Sequence, residues 1–489
     1  MLRRVLIANR GEIACRVLRT LKALGIGSVA VYTFEERNAP HVALADEAVL
    51  LRGAPPTAAY LDAAQLVEAA QRSGADAIHP GYGFLAENAA FAQRVAEAGL
   101  IFIGPDAAVM RLMGDKIRAR EFARAQGVPV APSVLAGADA AEFAASAAAI
   151  GFPLLIKAAA GGGGKGMRLV RATTQFAESA QLAAAEALRY FGDGRIYAER
   201  YIERPRHIEV QVLGDGSGRA VHLFERECSL QRRYQKIIEE SPAPHLAAAT
   251  RAALCAAAVR LAAAARYRNA GTVEFVLAPD GTFYFLEMNT RLQVEHPVTE
   301  SVLGLDLVAL QLELAGGAAL SLRQEDLVPR GHAIECRICA EEPAHDFRPA
   351  TGRIGVLRVP AAPGVRFDGG IAEGQAVTPA FDSLLAKLIA CADTRPAAAA
   401  RLQRALQELV LLGVPSNIDY LARLLALPAF LAGELHTGFL AEHAAELLPS
   451  ADTPHAAAAV LAALLGDDDF RRTAWAVPEP HASIGAWRN

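Results

Sequence analysis

The run Glu287-Met288-Asn289-Thr290-Arg291-Leu292-Gln293-Val294-Glu295 carries the strongest chemical signal in the sequence. Every odd position is polar or charged, and most even positions are apolar. Successive side chains of an extended strand point to opposite faces, so Glu287, Asn289, Arg291, Gln293 and Glu295 would share one face. Two acids, two amides and a guanidinium on one face are the makings of a site. An ideal strand, rising roughly 3.3 Å per residue, would separate Glu287 from Glu295 by about 26 Å. Service in one site therefore requires the chain to bend after Asn289. The competing reading is a half-exposed edge strand whose polar face meets water.

A second signal is Phe152-Pro153-Leu154-Leu155-Ile156-Lys157, followed by Gly161-Gly162-Gly163-Gly164-Lys165. An apolar strand here delivers Lys157 and then a glycine loop. Glycines let backbone N–H groups approach phosphate oxygens closely, and Lys165 adds charge. Gly166 stands where a Walker A loop needs Ser or Thr, so that loop is excluded. A glycine loop alone reads equally as a flexible turn. Coupled to Lys157, Lys116 and the downstream carboxylates, it points to phosphate binding. A third signal is Glu274. Thr272–Leu277 and Thr282–Leu286 read as two strands joined by Ala278-Pro279-Asp280-Gly281, a hairpin able to set Glu274 beside Glu287. Two carboxylates about 4 Å apart repel by about 4 kcal/mol at an effective dielectric near 20. Either one takes up a proton or a cation sits between them. With Asn289 as a third oxygen donor and phosphates nearby, Mg²⁺ is the natural ion; no Cys or His joins the set, which argues against zinc.

These residues need a scaffold. Residues 1–113 alternate strand and helix: strands at Arg4–Ala8, Val29–Tyr32, Ala75–Ile78 and Leu100–Ile103, helices at Ile13–Ala23, Leu61–Gln71 and Ala89–Ala98. That rhythm predicts an α/β domain with a parallel sheet covered by helices on both faces. Its first turn, Asn9-Arg10-Gly11-Glu12, is not GxGxxG and gives no support to a dinucleotide site. His79-Pro80-Gly81-Tyr82-Gly83 follows a strand, where ligands of such sheets bind, so Tyr82 is a candidate. Residues 114–330 hold the glycine loop and the carboxylates, 331–446 form a mixed C-terminal portion, and 447–489 read as an Ala-rich helix followed by a linker. At 489 residues the chain suits two to four domains. The net charge of −4 gives no basic excess to suggest nucleic acid, and no apolar run reaches the length of a membrane span. The six cysteines are scattered, which suits a reducing compartment. Cys336-Arg337-Ile338-Cys339 has metal-site spacing but no second pair, so both read as small core residues flanking Arg337.

Taken together, Leu286–Arg291, the Lys157 strand and its glycine loop resemble an ATP-grasp enzyme, and within that superfamily a biotin carboxylase. Asn9–Ala14, His79–Leu85, Met113–Lys116, Arg206–Glu209, Gln231–Glu239, Asn289–Glu300 and Glu335–Ile338 carry the resemblance, which runs from about 1 to 446. It implies an α/β and α+β architecture: a Rossmann-like N-terminal domain, an ATP-grasp domain with a mobile lid at about 135–203, and a C-terminal domain that completes the site. It implies that Lys116, Lys157 and His207 contact phosphates or ribose, that Gly162, Gly163, Gly164 and Lys165 cover the phosphates, that Glu199 and Ile202 read adenine, and that Gln231 and Tyr234 help hold the nucleotide. Glu274, Glu287 and Asn289 would hold Mg²⁺ or Mn²⁺. Lys236, Arg291, Gln293 and Val294 would bind bicarbonate, and Tyr82 and Arg337 biotin. Glu295 would be the general base and Arg337 would stabilise the biotin enolate, with Lys236 and Arg291 also in the catalytic set.

The resemblance further implies a biotinylated carrier domain or protein as partner, a separate carboxyltransferase subunit, and a homodimer or larger assembly. Location would be the cytoplasm of a bacterium or the mitochondrial matrix of a eukaryote. Two departures stand out: Tyr234 occupies a position where the family usually has His, and Arg200 one where Lys is common. No Met-Lys-Met-like hairpin is present in the sequence, and Gly485–Asn489 resemble the linker that follows this module in acyl-CoA carboxylase α-subunits. The alternatives are another ATP-grasp ligase or a non-catalytic nucleotide-sensing subunit. The latter would be expected to lack Glu295, Lys236 or Arg291, and all three are intact.

Overall fold

The computed structural model describes residues 2–160, 167–448, 456–466 and 472. The chain forms two compact units, 1–444 and 445–489. The second contains the helix Ala456–Gly466, in the Ala-rich stretch where a helix is expected. No helix among the described residues is long and apolar enough to cross a membrane.

The first unit opens with the expected parallel sheet. Its strands are β1 (Arg4–Ile7), β2 (Gly27–Tyr32), β3 (Glu47–Leu50), β4 (Ala77–His79) and β5 (Ile101–Phe102), in the order β3-β2-β1-β4-β5. Val5, Leu6, Ile7, Val29, Val31 and Ile78 are fully buried between helices on the two faces. The edge strand β3 escapes sequence reading because it is four residues long and its pattern is exposed at both ends. Helix α1 (Gly11–Ala23) starts directly after β1, with Gly11 at φ +62°, so its first turn lies at the carboxyl end of the sheet.

A small antiparallel sheet follows: β6 (Ser133–Leu135), β7 (Leu154–Ala158), β8 (Arg168–Val170) and β9 (Ile196–Arg200), in the order β6-β9-β7-β8. Helices Ala140–Ile150 and Phe176–Phe191 cover it, and Phe143, Phe176, Leu154, Ile156 and Val170 form its own core. A separate core is what lets such a piece move as a body. Its strands run from Ser133 to Arg200. Gly162, Gly163, Gly164 and Lys165 lie outside the described residues.

The scaffold of the site is an eight-stranded antiparallel sheet. It contains β10 (Arg206–Asp215), β11 (Ala220–Arg232), β12 (Gln235–Ser241), β13 (Arg268–Leu277), β14 (Phe283–Asn289), β15 (His332–Cys339) and the strands Leu384–Ala392 and Val365–Gly369. Strands from the expected middle and C-terminal portions thus share one sheet, joined where β12 pairs with β15. Alternation assigns its faces. In β10, Ile208, Val210 and Val212 pack on the helix Ala248–Ala264, leaving His207, Glu209 and Gln211 on the opposite face. Cys336 and Cys339, three residues apart on β15, fall on opposite faces, and both are free thiols. The spacing serves no shared metal or disulfide.

Candidate active site

Glu274 and Glu287 are register partners in the β13–β14 hairpin, as the sequence suggests. The route there is less simple than alternation implies. Phe283, Phe285, Glu287 and Asn289 have the same parity, yet Phe283 and Phe285 pack in the core. A bulge separates the pairs Phe275↔Phe285 and Glu274↔Glu287, so Leu286 is the extra residue. The bulge turns Glu287 and Asn289 to the polar face and sends Met288 into the core. The strand ends at Asn289, the chain bends, and Glu295 sits at the N-terminus of the helix His296–Leu303. The bend required by the sequence is present. β14 is an edge strand of the large sheet, but its polar residues Glu287 and Asn289 line a cavity instead of meeting open water.

Together these elements surround a cavity of about 630 Å³ between the small lid sheet and the large sheet. At its floor, the Lys236 ammonium lies 2.6 Å from Glu209 Oε2, 2.9 Å from Glu274 Oε1 and 2.6 Å from Glu295 Oε1. Burial works against a charged lysine, but the three carboxylates outweigh it and push its pKa well above the usual value. Arg337 Nε donates to Glu239 at 2.6 Å, and its Nη2 donates to Glu295 Oε2 at 2.9 Å. Both Glu295 oxygens therefore face cations. Burial would raise its pKa, but Lys236 and Arg337 overcome burial and the nearby Glu209 to hold it below the usual range. Arg291 turns back over the same floor, reaching Gln293 Oε1 at 2.7 Å, Asn289 Oδ1 at 3.1 Å and Glu87 Oε2 at 2.9 Å.

At the other end, Lys116 stands 2.9 Å from Glu287 Oε2. Despite burial, this ammonium and Lys157 hold the Glu287 carboxyl well below its usual range. Lys157 contacts Glu199, whose second oxygen accepts from Arg120 at 2.7 Å. The Glu199 carboxylate is thus committed to two cations, and Ile202 lines the same cavity. His207 Nε2 is 3.2 Å from Glu274 Oε2. Burial disfavours its charged form, but Glu274 and Glu209 prevail and push its pKa up to about 9. Gln231 and Tyr234 also line the cavity. Tyr234 and Arg233 occupy a two-residue turn between β11 and β12 with φ +68° and +49°. Such a turn favours Gly or Asn.

The all-oxygen set of Glu274, Glu287 and Asn289 suits a hard divalent cation. Its charge is answered by Lys116, His207 and Lys236. Asn289 Nδ2 donates to Glu274 Oε1 at 2.9 Å, tying the third donor to the first. A second cluster, His207, Glu209 and Glu274, also gathers its possible ligand atoms within 4.8 Å of one another.

One candidate does not reach this cavity. The Tyr82 hydroxyl donates to Glu12, and Tyr82 lines a separate cavity of about 150 Å³ with Arg10, Phe84, Phe381 and Asp382. Sequence reasoning also missed Glu209, Glu239 and Arg226. Arg226 is fully buried and donates to Glu209 Oε1 at 2.6 Å. The signal for Glu209 was legible, since His207-Ile208-Glu209-Val210-Gln211 alternates like residues 287–295.

Known proteins share this arrangement over most of its length. Residues 1–110 match the family described as biotin carboxylase, N-terminal domain. Residues 115–323 match the carbamoyl-phosphate synthase L chain ATP binding domain, and residues 335–442 the biotin carboxylase C-terminal domain. The biotin carboxylase of Nostoc sp. is 48% identical over 444 residues, covering 90% of this chain and 98% of that one. The chain belongs to the biotin carboxylase family. Among solved structures, the biotin carboxylase domain dimer of Hydrogenobacter thermophilus 2-oxoglutarate carboxylase superposes with a TM-score of 0.89 at 44% identity, covering 92% of this chain and 99% of that one. That structure is a complex with MgADP, ADP and bicarbonate. The mitochondrial methylcrotonoyl-CoA carboxylase subunit alpha of Mus musculus is 47% identical over 453 residues. There the match covers 92% of this chain but 63% of the relative, so the chain spans less than two thirds of that subunit. The fold is the ATP-grasp fold of the family, with its lid sheet and large sheet on either side of the cavity.

Proposed function

We propose that this chain carboxylates biotin with ATP and bicarbonate by way of carboxyphosphate, the first half-reaction of an acyl-CoA carboxylase. The observation that carries the reading is the convergence of Lys236 and Arg337 on the two oxygens of Glu295, with Arg291 and Gln293 beside them. Bicarbonate is a poor carboxyl donor until its oxygen is phosphorylated. Lys236 and Arg291 supply positive charge, and Gln293 and the Val294 backbone supply polar groups, to hold the anion. Glu295, kept ionised by its two cations, accepts the bicarbonate proton as the oxygen attacks the γ-phosphorus. Lys116, Lys157 and His207 line the path of the phosphates and oppose their charge. Glu274, Glu287 and Asn289 would hold the divalent cation, which when bound neutralises charge on the phosphates. Carboxyphosphate yields CO₂ and phosphate, and the phosphate removes the biotin N1 proton. Arg337, a fixed guanidinium between Glu239 and Glu295, then faces the developing ureido enolate.

Biotin would arrive on a carrier domain or protein, with a carboxyltransferase subunit taking the carboxyl group onward. The Hydrogenobacter relative is a dimer, which supports self-association here. Bacterial and mitochondrial relatives support the bacterial cytoplasm or mitochondrial matrix as the setting. The test is ADP release by the purified chain with Mg²⁺ and ATP, with and without bicarbonate and free biotin. Biotin stimulation that requires bicarbonate is expected. ADP release indifferent to both would instead indicate a different ATP-grasp ligase.

A further inference from the structure

Lys387 lies on the strand Leu384–Ala392, and its side chain has no exposed surface. Its ammonium donates to the Val294 carbonyl at 2.8 Å and stands 3.3 Å from Glu12 Oε2. Glu12, buried in the first turn of α1, accepts from the Tyr82 hydroxyl with its other oxygen. Tyr82 and Glu12 line the small cavity, whereas Val294 and Glu295 line the large one. Tyr82, Glu12, Lys387 and Val294 therefore form one continuous row of polar contacts through the core between the two cavities. Its two ends, Tyr82 and Val294, are candidates for biotin and bicarbonate, whereas Glu12 and Lys387 between them carry no role in that chemistry. Lys387 touches no group assigned to ATP, the cation or biotin.

We propose that Lys387 and Glu12 are positioning residues that couple the Tyr82 cavity to the bicarbonate loop. The proposal rests on the reading of the large cavity as the bicarbonate site. The segment between β14 and the helix His296–Leu303 has no regular hydrogen-bond ladder. Its shape depends on tethers such as this one, because each buried carbonyl needs a donor. Lys387 holds the Val294 carbonyl, which fixes the peptide plane that joins Val294 to Glu295. Arg337, the register partner of Lys387 on β15, holds the Glu295 carboxylate from the other side. Backbone and side chain of the general base are thus clamped by adjacent residues of two paired strands. Asp368, the acid paired in register with Lys387, is already engaged by Arg366 at 2.6 Å and Arg19 at 2.9 Å. Glu12 is therefore the group through which a ligand that moves Tyr82 acts on Lys387. A molecule entering the small cavity and drawing the Tyr82 hydroxyl away from Glu12 would tighten the Glu12–Lys387 contact and shift the Val294 carbonyl.

The test uses the full chain with Lys387→Met, Glu12→Gln and the double variant. Lys387→Met orphans a buried carbonyl, so amide exchange of a peptide spanning 290–296 should quicken about 10-fold. Exchange in 206–215 should stay unchanged. The KM for bicarbonate should rise on the order of 10-fold with the KM for ATP within about 2-fold, the split expected when one tether is lost. Glu12→Gln should reduce the stimulation of ADP release by free biotin, and the double variant should lose no more than Lys387→Met alone. Unchanged exchange in 290–296 for Lys387→Met overturns the proposal, as does a parallel rise in both KM values. Exchange is read without turnover. A wild-type chain with no bicarbonate-dependent ADP release would sink the functional reading, while the exchange result would still judge the tether.

Discussion

Lys236→Met should expose the electrostatic design of the site as a pH-dependent loss of stability. In the metal-free protein the Lys236 ammonium is shared by Glu209, Glu274 and Glu295 at 2.6–2.9 Å. Burial raises the pKa of Glu209 and Glu295, but Lys236 and its neighbours reverse this and hold both below the ordinary value of 4.5. A depressed carboxylate contributes stability that is fully present above 4.5 and is lost as the pH falls through its folded value. Methionine keeps the length of the side chain and removes the charge. Arg226 still holds Glu209, and Arg337 still holds Glu295, but three buried carboxylates have lost a common counter-ion. Breaking a buried pair by removing one partner costs about 3–5 kcal/mol. The freed carboxyls answer by taking up protons. Each unit by which one of their pKa values climbs above 5 lets a shift to pH 5 restore about 1.4 kcal/mol. Urea unfolding followed by far-ultraviolet circular dichroism at pH 7.5 and pH 5.0 reads this directly. The deficit should be about 4 kcal/mol at pH 7.5 and smaller by about 1–2 kcal/mol at pH 5.0. A deficit below about 1 kcal/mol, or one indifferent to pH, would refute the reasoning, because a solvated ammonium would behave that way.

Three further outcomes follow from the same geometry. Glu295→Gln should abolish bicarbonate-dependent ADP release while nucleotide affinity, measured by calorimetry, stays within about 3-fold, since the change is nearly isosteric; lost nucleotide binding would remove Glu295 from the role of base. His207, raised from 6.5 to about 9, contributes stability that is complete below 6.5 and lost as the pH climbs through about 9. The metal-free protein should therefore lose on the order of 3 kcal/mol across that window, and His207→Asn should flatten the profile. Tyr234→Gly relieves a φ of +68° and should raise the unfolding free energy by up to about 1 kcal/mol, with a higher KM for ATP because the ring lines the cavity. A destabilised glycine variant would mean that the ring's packing outweighs the backbone strain.

The sequence by itself determined the local chemistry of this chain. The βαβ rhythm of residues 1–113, the hairpin that pairs Glu274 with Glu287, and the bend after Asn289 were all legible, because each depends on local periodicity and turn residues. Even Arg337 stood out, between two cysteines that alternation sends to opposite faces. Tertiary structure decided the rest. The bulge at Leu286 has no sequence signature, yet it alone turns Glu287 and Asn289 from the core face to the cavity. Glu199 appeared as an adenine reader, and only the approach of Lys157 and Arg120 from other elements shows its carboxylate to be occupied. Tyr82 appeared to belong to the main site, and only the packing of α1 against the large sheet diverts its hydroxyl to Glu12. Periodicity acts over a few residues along the chain. The charge balance of a buried site is set by side chains hundreds of residues apart, such as Glu12 and Lys387, which no local pattern brings together.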